Sequence, residues 1–342
     1  MLIEAGQAPA AAATLLAAET ESLATLGQTL RQRPPRAMLT VARGSSDHAA
    51  HYLGYLVMAR LGRLVTSLPM SVLTLYQSSL DCEGLLALAF SQSGQSPDLV
   101  EPIRTLGAQG ARTLALVNDA ASPLARAAQQ HIPLHAGAEL SVAATKSFIT
   151  QLVAAAALVS AWQQDASFSR ALQQLPIALE QALRQDWDDA VHALLATERL
   201  YVIARGTGLP IAMEAALKFK EVCGIQAEAF SGAEVQHGPM ALVERGFTLL
   251  ILAPHGPAQA GLLALAGDMH ARGARVLLAA PPGTRGMPAT PCLQLPMVAT
   301  GNVDLDPIAA VQSFYPMVEA LARARGLHPD RPRHLQKVTR TC

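Results

Sequence analysis

The chain has 342 residues, more than one compact domain usually holds, so two domains are the starting expectation. With 51% hydrophobic and only 15% charged residues it can bury large cores, which excludes a disordered protein. Its formal net charge is zero, so no basic surplus draws it to nucleic acid or to an anionic membrane surface.

Cys82, Cys223, Cys292 and Cys342 show no CxxC spacing, which fits reduced thiols and argues against a zinc site. No metal and no cofactor is expected. No basic leader precedes the apolar N-terminal stretch, and the longest apolar run, 152–162, is too short to span a bilayer. The expectation is a soluble, cytoplasmic protein.

In chain order, residues 8–31 read as a helix ended by Arg33-Pro34-Pro35-Arg36. A strand follows at 37–42, then Gly44-Ser45-Ser46 and a helical pattern to about Leu61. The next strand, 84–90, runs into Ser91-Gln92-Ser93-Gly94-Gln95-Ser96, where Pro97 marks a helix start with Ser96 as its N-cap. Strands at 111–117 and near 131–135 complete an alternation that implies a parallel sheet. Residues 144–197 read as connecting helices and 304–326 as a closing helix.

The pattern recurs. VARGSSDHAAHYLGYL (41–56) aligns with IARGTGLPIAMEAALK (203–218), and GARTLALV (110–117) aligns with GARVLLAA (273–280), so the halves read as duplicated α/β domains. A parallel α/β sheet binds ligands at the carboxyl ends of its strands. In the first half those ends carry the two serine clusters, whose hydroxyls and backbone N–H groups at helix starts suit a phosphate dianion. A polar turn with a serine cap is the plainer alternative. No GxxxxGK[ST] pattern exists, so this is not a nucleotide P-loop.

The helical stretch after Gly206 is apolar on nearly every side, which predicts burial. At roughly 100° per residue, Glu214, Lys218 and Glu221 nevertheless fall within about 60° of one another, while Lys220 points away. Charges on a buried helix must pair or line a polar cavity, so this face is either a structural ion pair or an active-site wall. Only four of the 26 basic residues are lysines, at 146, 218, 220 and 337. Lysine can lose its proton and form an imine, which arginine cannot, so these four are candidates for chemistry.

ARGSS (42–46), SQSG (91–94), VAATKSF (142–148), EAALKFKE (214–221), HGP (237–239) and PRHLQKVT (332–339) together resemble the double SIS-domain sugar-phosphate enzymes. The specific likeness is to the isomerase portion of glucosamine-6-phosphate synthase and its stand-alone deaminase-like relatives, over residues 36–341. The resemblance implies two tandem SIS domains, each a parallel sheet flanked by helices in a flavodoxin-like three-layer sandwich. It divides the chain into an N-terminal helical segment (1–35), a first domain (36–165), a helical linker (166–197), a second domain (198–326) and a catalytic tail (327–342).

The same resemblance implies that Ser46, Ser91, Gln92, Ser93 and Ser96 hold the sugar phosphate, with the Val142 backbone near the sugar hydroxyls. Glu221 would move a proton between C1 and C2, with Lys218 beside it. Lys337 would form a Schiff base with an open-chain ketose. His237 would assist ring opening from a neighbouring subunit, which implies a homodimer with shared active sites. Ala144 departs from the synthase pattern, which has serine there.

Met1 is followed within about forty residues by the first SIS strand, with no glutaminase domain or nucleophilic cysteine ahead of it. The expected reaction is therefore deamination of glucosamine 6-phosphate to fructose 6-phosphate and ammonia, with water attacking C2 of a ketimine. Alternatives are a galactosamine-6-phosphate deaminase/isomerase, a deglycase for glycated amino acid phosphates, a glucosamine-fructose-6-phosphate aminotransferase of the isomerizing type, and, from another class, a non-catalytic sugar-phosphate sensor. The proton-transfer set of Glu221, His237 and Lys337 disfavours the sensor, which needs the serine loop alone.

Overall fold

A computed structural model describes residues 1–288 and 292–337. Along the chain, α1 (Leu2–Ala18) and α2 (Thr20–Gln32) precede β1 (Met38–Val41), α3 (Gly44–Leu61), β2 (Val65–Ser67), α4 (Ser71–Thr74) and β3 (Leu86–Ser91). Then come α5 (Pro97–Ala108), β4 (Arg112–Val117), α6 (Pro123–Ala127), β5 (Gln130–Pro133), α7 (Lys146–Gln163), α8 (Ala166–Ala182) and α9 (Asp188–Leu194). The second half holds β6 (Arg199–Ala204), α10 (Leu209–Cys223), β7 (Gln226–Ser231), β8 (Thr248–Leu252), α11 (Gln259–Ala271), β9 (Arg275–Ala280), β10 (Leu293–Pro296) and α12 (Asp306–Ala324). Among the described residues no helix is long and apolar enough to cross a membrane.

Two compact units form. One comprises residues 7–140 and 144–173 with Gln336 and Lys337; the other comprises 1–6, 141–143 and 174–335. The first carries a parallel sheet ordered β2-β1-β3-β4-β5 and the second a parallel sheet ordered β10-β9-β8-β6-β7. Matched by chain position, β6 to β10 repeat β1 to β5 in the same spatial order. That is the topological form of the repeat legible at 41–56 and 203–218.

The central strands are buried along their whole length, as a parallel sheet covered on both faces requires. In the first unit Leu99, Ile103 and Leu106 of α5 pack with Ala87, Ala89 and Ala115 of the sheet. In the second, Leu262, Leu265 and Met269 of α11 pack with Leu249, Ile251 and Leu278. The small alanines of β3 let helices approach closely, which explains how a chain so rich in alanine fills its core.

Three expectations need correction. The helix read over 8–31 is two helices that break at Glu19, where the Thr20 hydroxyl bonds back to the Leu16 carbonyl at 2.7 Å and competes with the helical ladder. Ser96 does occupy the N-cap position of α5, but its side chain makes no capping hydrogen bond. The last strand of the first sheet ends at Pro133: one more bond, from the Leu134 N–H to the Val117 carbonyl at 3.1 Å, follows before His135 turns the chain at φ +52°.

The turn after β3 sets the geometry of the site. Gly94 sits at φ +63° and donates its N–H to Ser91 Oγ at 3.0 Å, while its carbonyl accepts from Leu124 N. A Cβ at this position would lie 2.2 Å from Ser122 Oγ and 2.8 Å from Val117 Cγ2. Both the left-handed backbone and the contact demand glycine. Replacing it, Gly94→Ala, is expected to cost about 1–3 kcal/mol and to disorder the serine turn. Urea denaturation measures the loss; an unchanged midpoint would show that the turn relaxes without strain.

Candidate active site

The strand order of the first unit changes direction between β1 and β3, and the crevice at the carboxyl ends of those strands is where an open α/β sheet takes its ligand. A cavity of about 290 Å³ lies there. Arg43, Gly44 and Ser46 line it from the end of β1 and the start of α3, Ser91, Gln92 and Ser93 from the turn after β3, Ser96, Asp98 and Leu99 from the start of α5, and Lys337 from the tail.

Three of its hydroxyls are held by incoming donors. Gln151 Nε2 of α7 donates to Ser46 Oγ at 2.9 Å, the Gly94 N–H to Ser91 Oγ at 3.0 Å, and the Gln95 N–H to Ser93 Oγ at 3.3 Å. Each oxygen already accepts a bond, so each O–H is left to donate. Hydroxyls arranged in this way, near the starts of α3 and α5, suit an anion. Arg43 adds a guanidinium at the rim, its Nε bonded to Asp98 Oδ2 at 3.1 Å.

Lys337 reaches the cavity through a second network. Its Nζ donates to Glu139 Oε2 at 2.8 Å. The Glu139 side chain is wholly buried, and it also accepts from Thr145 N at 3.0 Å, Ser147 N at 3.1 Å and Ser147 Oγ at 2.6 Å. The residues of the VAATKSF motif that follow Ala144 thus fasten a carboxylate at the start of α7. Lys146, another of the scarce lysines, is buried away from the cavity and donates to Gln7 Oε1 at 2.8 Å.

The second unit holds the charged face of α10. Glu214 and Lys218 are fully buried, Glu221 is one-fifth exposed, and Lys220 lies in solvent. Lys218 Nζ hydrogen-bonds to Glu221 Oε2 and stands 3.3 Å from Glu214 Oε1, so it bridges both carboxylates. The Tyr315 hydroxyl of α12 faces Glu214 at 3.5 Å. Burial by itself pushes the Lys218 ammonium down, but the attraction of Glu214 and Glu221 outweighs it and holds the group above its ordinary value of 10.5. Lys218 is therefore a fixed cation. A buried ammonium held between two carboxylates is poorly suited to form an imine or to act as a base, and Glu221 is the partly exposed member of the trio.

The predicted residues thus fall into separate groups. Ser46, Ser91, Gln92, Ser93, Ser96 and Lys337 surround one cavity, and Lys218 and Glu221 pair on α10. His237 is exposed in the turn after the short helix 234–236, and Val142 gives its N–H to the Asp330 carbonyl at 3.2 Å; neither lines the cavity. Sequence reasoning missed Glu139, Gln151 and Arg43. Their signals were faint: a carboxylate and a glutamine flanking the lysine of ATKSF, and an arginine ahead of GSS. Among the described cysteines, burial pushes the Cys223 thiol up to about 12 and raises Cys82 and Cys292 as well, which disfavours the nucleophilic thiolate. Cys342 and the rest of the tail from 338 lie outside the described residues.

The sequence model of the SIS domain matches residues 33–161 and 193–279. Glutamine–fructose-6-phosphate aminotransferase (isomerizing) of Aeropyrum pernix is 35% identical over 319 residues, which is 88% of this chain and 50% of that protein. The chain spans about half the length of the curated relatives it matches. A Silicibacter pomeroyi protein provisionally named a phosphosugar isomerase is 43% identical in a structure of TM-score 0.90, covering 96% of this chain and 99% of its own. The C-terminal domain of glucosamine-fructose-6-phosphate aminotransferase from Francisella tularensis superposes with TM-score 0.85 at 24% identity, over 96% of this chain and 97% of that one, a likeness of fold.

Removing the bridging cation tests the trio directly. Lys218→Met leaves Glu214 buried without its counter-charge and is expected to destabilise the protein by about 3–5 kcal/mol. Because the folded-state ammonium titrates above 10.5, the contribution of Lys218 is complete below that pH and is lost only as pH rises through the higher folded value. Urea midpoints of parent and variant from neutral to alkaline pH measure both effects. A loss under about 1 kcal/mol, the usual worth of an exposed pair, would place water or a proton beside Glu214.

Proposed function

This chain belongs to the SIS domain family, and from that premise we propose that it is an amino-sugar-phosphate deaminase/isomerase, converting glucosamine 6-phosphate to fructose 6-phosphate and ammonia. The observation that carries the reading is the cradle of three held hydroxyls with a lysine amine at its edge. The serines suit the phosphate at C6, and the amine suits a carbonyl carbon. Metabolic phosphosugars are dianions near neutral pH, which a helix-start cradle prefers.

In this reading Glu221 removes the proton from C2 of the open-chain aldose and returns it to C1, giving the C2 ketimine. Water adds to C2, ammonia leaves, and the ketone of fructose 6-phosphate remains. Lys218 fixes Glu221 and offsets the charge of Glu214 beside it. Lys337 holds the ketose as an imine. His237 assists ring opening from a second copy of the chain in a homodimer, and the Val142 backbone lies near the sugar hydroxyls. The aminotransferase named among the relatives draws its nitrogen from glutamine; the chemistry proposed here runs on the sugar alone.

The deciding assay measures ammonia and ketose phosphate from glucosamine 6-phosphate, galactosamine 6-phosphate and a glycated amino acid phosphate, each with and without glutamine. Ammonia and fructose 6-phosphate should appear from the gluco substrate without glutamine. Glu221→Gln should lower that turnover by about 100-fold with little change in binding. Ser91→Ala with Ser93→Ala should instead raise KM by at least about tenfold, the scale for hydrogen bonds to a charged group. Binding without turnover of any of the three would favour the sensor.

The shared-site homodimer is tested by mixing Lys337→Ala and His237→Ala chains. Each homodimer should be nearly inactive, and mixed dimers should regain about half of the parental activity, because one of their two sites is then intact. Complete chain exchange without recovery would confine both residues to one chain's site.

A further inference from the structure

Glu139 is a heavily engaged, fully buried carboxylate of the first unit, and neither the serine cradle nor the proton shuttle uses it. Its side chain has no exposure, and three protein donors and one ammonium converge on its two oxygens. Two of the donors, the N–H groups of Thr145 and Ser147, belong to the cap and first turn of α7, an 18-residue helix whose N-terminus favours negative charge. Thr145 N and Ser147 N share Oε1. Ser147 Oγ and Lys337 Nζ share Oε2. The carboxylate is the rigid partner of the pair, and Lys337, one-quarter exposed on an irregular tail, is the adaptable one.

We infer that Glu139 is the positioning residue for Lys337: an anionic anchor that aims the amine into the phosphate cavity and balances the positive charge its nitrogen bears before and after imine formation. The inference rests on the reading of Lys337 as an imine-forming amine. In that step the ammonium and the C2 carbonyl of open-chain fructose 6-phosphate give an iminium and water. Two protons leave the nitrogen with the carbonyl oxygen, a C–N double bond replaces C=O, and one positive charge remains on nitrogen throughout. A fixed carboxylate facing that nitrogen stabilises both charged states without reorganising. It also removes the need to order a long, freely rotating side chain at the moment of reaction.

Capping α7 is the competing explanation, and it accounts for Thr145 and Ser147. It does not account for Lys337. A helix N-terminus already neutralises one carboxylate, and a cap needs no amine reaching it from almost two hundred residues further along the chain.

The test is reductive trapping. The 342-residue chain is incubated with fructose 6-phosphate and borohydride, and the rate of hexitol-phosphate attachment to Lys337 is followed by peptide mass spectrometry. Glu139→Gln preserves size and an acceptor for both N–H groups but carries no charge. It should trap on the order of 100-fold more slowly than the parent, the scale for misplacing a reacting group, while KM for glucosamine 6-phosphate stays near the parental value. Ser147→Ala disturbs the cap and leaves the Glu139–Lys337 pair, so it should lower the thermal midpoint and trap at nearly the parental rate. If Glu139→Gln does not fold, Glu139→Asp keeps the buried charge one methylene short of Lys337 and should trap at an intermediate rate.

Equal trapping by the parent and either Glu139 variant overturns the anchor and leaves the proposed function standing. Trapping lost as fully in Ser147→Ala as in Glu139→Gln also overturns it, in favour of the cap. A parent that traps elsewhere than Lys337 removes the reading beneath it.

Discussion

Parallel strands cannot be joined by tight turns, and this constraint organises the molecule. Each neighbouring pair needs a crossover, the crossovers are helices, and a sheet that grows in both directions from its first strand must reverse order once. In the first unit the reversal lies between β1 and β3. The two chains leaving those strands diverge to helices on opposite faces, so the serine runs at 44–46 and 91–96 are left facing a crevice that no side chain of the sheet fills. The cradle is a consequence of topology, and the serines are what make that consequence useful.

Two buried ion pairs then serve different ends. Lys218 stands between two carboxylates on its own helix, where i,i+4 and i,i+3 spacing bring them together without help from the rest of the chain. Desolvating three charges is costly, and their mutual attraction holds the lysine charged in spite of it. Glu139 and Lys337 meet across 198 residues of sequence. That contact is decided entirely by how the 135–145 connection and the tail are folded, and it brings an amine to a cavity whose other polar groups are hydroxyls, amides and the Arg43–Asp98 pair.

The internal repeat is conserved in topology and lost in chemistry. Arg205-Gly206-Thr207-Gly208 stands where Arg43-Gly44-Ser45-Ser46 stands in the first half, and both sheets share one strand order. Beyond β8, however, the chain reads Ala253-Pro254-His255-Gly256, with no serine cluster to repeat 91–96. His255 there stands 3.8 Å from Asp306, whose carboxyl burial pushes up despite hydrogen bonds from Thr300. One copy of the fold keeps the cradle, while the other carries the charged helix α10.

Much of this could be read before any fold was known. Strand and helix alternation, the duplicated halves and the burial of α10 follow from residue periodicity, because a sheet buried on both faces and a helix buried on every side leave uninterrupted apolar runs. The Glu214, Lys218 and Glu221 cluster was legible for the same reason: helical geometry alone determines which of those side chains meet. The serine runs were legible as strand-end turns, and the family motifs singled out Lys337. The break at Glu19, the idle cap of Ser96 and the strands at 226–231, 248–252 and 293–296 were not, since each depends on what packs or bonds against it. Least legible of all was Glu139. A glutamate followed by Leu140-Ser141 looks like any exposed loop, and only the tertiary fold buries it against α7 and brings Lys337 to it, because burial and long-range pairing are properties of how segments meet and not of the segments themselves.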